Sequence, residues 1–340
     1  VENRWGRLRA ATKRVGLAMT LVANAFFLSF STLWRYLMVL PFVAIPGLAV
    51  VFSLSLLVVG GGVVFLVLFS PLLVGTLLTL VMIFLITSFS CFNIMVGCRA
   101  AFGAMGRVNE LDFGRLVGKS MTFTLLQMAV SVFLVVVAAG VFASIYLLAP
   151  EGTLSTGSMM ANPQQFMAEV ATHPATLAVA AAAMLASLGL SALLSVPMAG
   201  SAISATPKMG PTDPFLGIGT AFFPVFVVLI ATGVLCTVTG AYAMSAGLIS
   251  MLISNAILLM SNQPMIWPEL EFTLLSTAMT LLVIWASCWF YAAAALGWKR
   301  YTDQRDAAVA ATAEYERFNP EELRALRENR ERSGGGGGGH

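Results

Sequence analysis

Long apolar runs, each at or above the roughly 20 residues a helix needs to cross a bilayer core, alternate along this chain with short connections that hold most of its charge. The runs predict spanning helices near Leu37–Val59, Pro71–Cys98, Met121–Leu148, Ala175–Ile203, Phe215–Ala241 and Phe272–Trp298. Strand alternation is absent from them, so an all-α, polytopic membrane fold of about six crossings is expected. The second run is oversized. Val63 to Cys98 is uncharged and interrupted by Pro71, so Val63 to Ser70 is expected along the outer surface, after a turn at Gly60, Gly61 and Gly62.

Two further apolar segments do not fit the count. Val15 to Trp34 is long enough to cross but lies between Arg14 and Arg35, and a crossing would leave one basic flank on the wrong side. An in-plane or re-entrant helix is expected there. Met244 to Ser261 follows the fifth run with no charge between, and parity predicts an outer-leaflet re-entrant element. Residues 1–35 thus form a basic amphipathic segment, 36–298 a six-helix membrane domain, and 299–333 a charged tail of two short helices, Tyr301–Arg317 and Asn319–Arg332. Gly334 to Gly339 with His340 reads as an added linker and tag remnant. The basic start followed by an apolar run resembles a secretory signal, yet the run leads into Trp34, Arg35 and another long span, so a retained membrane segment is expected.

Charge fixes the threading. Arg4, Arg7, Arg9, Lys13, Arg14 and Arg35 precede the first span, Arg99, Arg107, Arg115 and Lys119 share one connection, Lys208 sits in a second, and the remaining cations lie from Lys299 onward. The loops Ala149 to Pro174 and Asn262 to Glu271 hold Glu151, Glu169, Glu269 and Glu271 but neither Lys nor Arg. Basic connections stay cytoplasmic. A multi-pass protein of the cell inner membrane with both termini in the cytoplasm is therefore expected, with a bacterial setting.

Composition agrees: 58% of residues are hydrophobic, 10% are charged, and the mean hydropathy is +0.87. Those values exclude an ordinary soluble domain. The net charge of +3 reflects the interfacial clusters and gives no reason to expect nucleic acid. Cys91, Cys98, Cys236 and Cys288 all lie in apolar runs, with no CxxC and no nearby His, which argues against both a disulfide framework and a metal site.

Candidate chemistry is sparse. None of the six predicted cores contains Asp, Glu, Lys, Arg or His, which counts against proton coupling, voltage sensing and intramembrane acid–base catalysis. His173 reads as a loop residue, and Met159, Met160 and Met167 as apolar contacts; no metal or cofactor is expected. Asn93, Gln127 and Asn255 are the polar residues best placed to line a path, although interhelical hydrogen bonding explains such groups more simply. Ala183, Ser187, Ser191, Ser195 and Ala199 recur every four residues and predict a close-packing ridge on the fourth span. Pro197 and Pro224 are expected to kink their helices. Arg99, Arg107, Arg115 and Lys119 fit anionic lipid headgroups. The glycines of the same connection lack a phosphate-loop spacing.

The expectation is a non-enzymatic subunit or scaffold of a multiprotein membrane assembly, with lipids and other membrane subunits, or further copies of itself, as partners. A channel or transporter for a neutral or lipid-like solute is the alternative. A lipid-modifying enzyme comes third, its carboxylates available only from Glu110 with Asp112 or Glu269 with Glu271.

Overall fold

The computed structural model describes residues 2–56, 71–107, 113–148, 173–204, 210, 212–245 and 270–318, with isolated positions at 254, 255, 258, 261, 263, 324 and 328. These residues form α1 (Glu2–Leu56), α2 (Pro71–Ala104), α3 (Phe113–Leu148), α4 (Pro174–Ile203), α5 (Phe222–Ser245) and α6 (Leu270–Phe318), with a 3-10 turn at Asp213–Phe215. No strand occurs among the described residues. Among the described residues six helices contain a stretch long and apolar enough to cross a membrane, so this is a multi-pass helical membrane protein.

α2, α4 and α6 touch one another pairwise, and each remaining helix lies against two of them. α1 packs on α2 and α6, α3 on α2 and α4, and α5 on α4 and α6. Three helical hairpins thus surround a central triangle made of the second helix of each. Lys119 at the start of α3, Arg99 near the end of α2 and the end of α4 meet one another. The Arg35 side chain reaches Gly103, so it joins them at what we term the basic end.

Burial is concentrated toward that end. From Leu194 to Ala202 on α4, and from Phe290 to Ala295 on α6, every residue is buried. Since successive helical residues point about 100° apart, such unbroken strings mean protein on all sides. The reverse holds toward the other end, where Val135, Val136 and Val137 on α3 and Met184, Leu185, Ala186 and Ser187 on α4 are all exposed. Large apolar side chains also face outward on α1, among them Phe27, Trp34, Phe42 and Ile45, while its buried stripe includes Ala18, Ala25, Ser29 and Thr32. Small residues inside and large apolar ones outside is the pattern of helices solvated by lipid.

Several boundaries differ from the sequence reading. α1 is one uninterrupted 55-residue helix where the sequence reading expects an in-plane helix at Val15–Trp34 and a separate span at Leu37–Val59, and its membrane-length stretch is Ala18–Ile45. At ~1.5 Å per residue it measures about 83 Å against a core of roughly 30 Å, so part of it lies beyond the apolar layer. Arg35 lies at the basic end, beside Gly103, within this continuous helix. α6 likewise runs through the expected start of the tail at Lys299 and of its first helix at Tyr301, to Phe318. Pro224 lies in the first turn of α5, where backbone N–H groups have no helical acceptor to lose, so it starts the helix without kinking it. Before it, Gly217 and Gly219 adopt positive φ (76° and 79°), turning the chain where a span from Phe215 is expected. Val63–Ser70, the loop 149–172, most of Met244–Ser261 and most of Asn319–Arg332 lie outside the described residues, although positions 254, 255, 258, 324 and 328 are helical.

Candidate functional site

Among the described residues, two clusters of polar side chains join helices within the apolar layer, and α2 contributes to both. In the first, Tyr36 of α1 donates its hydroxyl to the Asn93 Oδ1 of α2. The Asn93 amide nitrogen donates in turn to the Tyr291 hydroxyl of α6 at 3.0 Å. One amide thereby ties three helices together. The rings of Tyr36 and Tyr291 lie with centroids 5.6 Å apart, and Gly97, one helical turn beyond Asn93, lies beneath the Tyr291 ring. A Cβ on Gly97 would come 2.1 Å from the Tyr291 Cδ2, so only glycine admits this approach. An aromatic seam continues between α1 and α6: Phe26 meets Trp285 and Trp289 edge to face, each at 5.5 Å, and the Trp289 indole donates to the Val22 carbonyl at 3.4 Å.

In the second cluster, Cys91 of α2 donates its thiol to the Gln127 Oε1 of α3 at 3.2 Å. Cys91 and Asn93 are two positions apart, about 200° around the helix. Asn93 and Gln127 therefore lie on separate seams, each bonded to protein. Asn255 is half-buried at an isolated described position.

At the basic end, charge meets helix termini. Lys119 is 4% exposed and donates to the Ser201 and Ser204 carbonyls of α4 at 3.2 and 2.9 Å. Arg99 donates through Nε to the Ala202 carbonyl at 2.7 Å. These carbonyls belong to the last turn and cap of α4, where backbone acceptors have no helical donor and partial negative charge accumulates. Arg99 and Lys119 thus point into protein, whereas Arg107 and Arg115 are exposed. The sequence reading placed all four at lipid headgroups. It had no means to see that the end of α4 would arrive between two of them.

The α4 ridge is divided. Ser195 and Ala199 are fully buried against the bundle, Ala183 and Ser191 are half-buried and Ser187 is exposed. Close approach there relies on glycine too: a Cβ on Gly200 would come 2.4 Å from the Trp298 ring, and one on Gly297 2.9 Å from Val196. His173, expected in a loop, caps α4, its Nδ1 accepting from the Ala175 N–H at 3.3 Å with Pro174 in the first turn. Among the described residues no group of three or more His, Cys, Asp or Glu could hold a metal.

The contacts that the sequence reading missed are the hydrogen bonds of Tyr36 and Tyr291 to Asn93, and the pairing of Gly97 and Gly200 with aromatic rings. A tyrosine in the middle of an apolar run was a signal, since its hydroxyl needs a partner wherever it is buried. Comparison with protein-family models, curated proteins and solved structures finds no match to this chain.

Proposed function

We propose that this chain is a non-enzymatic, multi-pass subunit or scaffold of a bacterial inner-membrane assembly, with its basic end and both termini in the cytoplasm. In this reading the part of α1 before its membrane crossing lies along the cytoplasmic interface. One observation carries the proposal. The outer half of α4 reads Ala178-Val179-Ala180-Ala181-Ala182-Ala183-Met184-Leu185-Ala186-Ser187, and Met184 to Ser187 are exposed in unbroken succession. Small residues in membrane helices favour close approach of another backbone, and lipid chains are a poor substitute for one. A stretch rich in alanine, with four successive residues exposed, is suited to receive neighbours.

The alternative, a path for a neutral solute through Asn93, Gln127 and Asn255, has less support, because the first two are already bonded to protein on different seams. Co-purification in mild detergent tests the preferred reading. The full chain is expected to run with partner proteins or as an oligomer. Ser187→Phe is expected to release it as a monomer of unchanged thermal stability, since Ser187 touches little within the chain. A wild-type chain that runs as a partnerless monomer would remove the proposal.

A further inference from the structure

Where α6 leaves its apolar stretch, a cleft of about 480 Å³ opens between it and α1. From α6 it is lined at positions 296, 299, 300, 303, 304 and 307, a spacing that keeps one helix face turned toward α1. Chemistry changes in order along that face. Leu296, half-buried, lies opposite the buried Leu21 of α1. Lys299 and Arg300 come next, directly after Trp298, and then Asp303 and Gln304 one turn farther on. Thr20 and Asn24 supply polar groups from the opposite wall. Among the described residues neither Lys299 nor Arg300 is ion-paired; the ion pair farther along this helix, Arg305 with Asp306 at 3.4 Å, uses neither.

From this sequence of surfaces we infer that the cleft is a binding site for a phospholipid headgroup. Acyl–glycerol carbons fit the Leu21 and Leu296 floor, the phosphodiester fits Lys299 and Arg300, and the group esterified beyond the phosphate reaches Asp303. A carboxylate beside two cations would weaken a bare anion site. It serves instead to accept a hydrogen bond from the headgroup's far end, so the site selects headgroups that carry N–H or O–H donors, ethanolamine or glycerol, over choline, which has none. Two cations at the boundary between apolar and charged residues stand at the depth where phosphates lie. This inference is independent of the assembly reading.

Native mass spectrometry of the full chain with added phosphatidylethanolamine, phosphatidylglycerol or phosphatidylcholine tests it. The first two are expected to be retained several-fold more than the third. Removing the cations in a Lys299→Gln, Arg300→Gln double variant is expected to lower retention by about five-fold for each charge lost. Asp303→Asn is expected to reduce the preference over choline. Asn24→Leu, which narrows the cleft from the α1 side, is expected to weaken retention with the cations intact. Thermal melting in detergent confirms that each variant is folded. Equal retention by wild type and the double variant would overturn the site. So would equal retention of all three lipids by wild type, or displacement of bound lipid by millimolar inorganic phosphate, which would identify a free-anion site.

Discussion

Asn93 contributes to the fold out of proportion to its size, because its side chain accepts from Tyr36 and donates to Tyr291. Interhelical hydrogen bonds in membranes are each worth about 0.6 to 2 kcal/mol. Asn93→Leu removes two and strands two hydroxyls, so a loss of about 1 to 4 kcal/mol is expected from thermal or denaturant unfolding in detergent. A double-mutant cycle with Tyr36→Phe should show strong coupling, and additive losses would mean the two side chains do not act as one unit. Gly97→Ala tests the adjoining contact by overfilling it. Its Cβ would overlap the Tyr291 ring, and forced repacking of this sort costs about 1 to 3 kcal/mol. Wild-type stability in that variant would contradict the close approach of α2 and α6. At this scale the sequence was only half legible. Asn93 and Gln127 stood out as polar residues in apolar runs, but nothing local to either revealed its partner. Tyr291 lies 198 positions from Asn93, and such pairing is decided by how the helices meet.

Elements were more legible than contacts. Apolar run length located six helices and matched the end of α4 at Ile203, because lipid tolerates few alternatives to an uninterrupted helix. What failed was the treatment of charge as punctuation. Arg35 was read as the end of one helix and Lys299 as the end of another, yet α1 and α6 continue through them. A long side chain can carry its charge to the interface or to a neighbouring helix end without breaking the backbone. Lys119 is the extreme case, buried and spent on the carbonyls that terminate α4. Charged hydrogen bonds of this kind contribute about 1.5 to 3 kcal/mol. Lys119→Met is therefore expected to lower stability by that amount and to speed hydrogen exchange in the last turn of α4, with Lys119→Arg restoring part of the loss. An unchanged exchange pattern in the methionine variant would show that α4 ends without help from α3.

For the whole molecule, the arrangement of three hairpins has a consequence for how it sits in a membrane. The ends of α2 and α4, the start of α3 and the Arg35 region of α1 converge on one end of the bundle, and Lys299 and Arg300 leave α6 beside α1 in the same region. In the proposed orientation this concentration of cations faces the cytoplasm, and the six candidate spans among the described residues bring the chain back to the side on which it began. In that orientation the connections that carry Glu151, Glu169 and Glu269 are expected on the opposite side. Both statements can be checked together in a chain whose four native cysteines are changed to alanine. A cysteine at position 151 is expected to react with a membrane-impermeant maleimide in intact cells, and one at 208 only after the membrane is opened. Exchange of those two results would invert the bundle, placing the crowded end, with its buried Lys119 and capped α4, outside. The proposed interface at the open end of α4 would then have to meet its partners from the cytoplasmic leaflet.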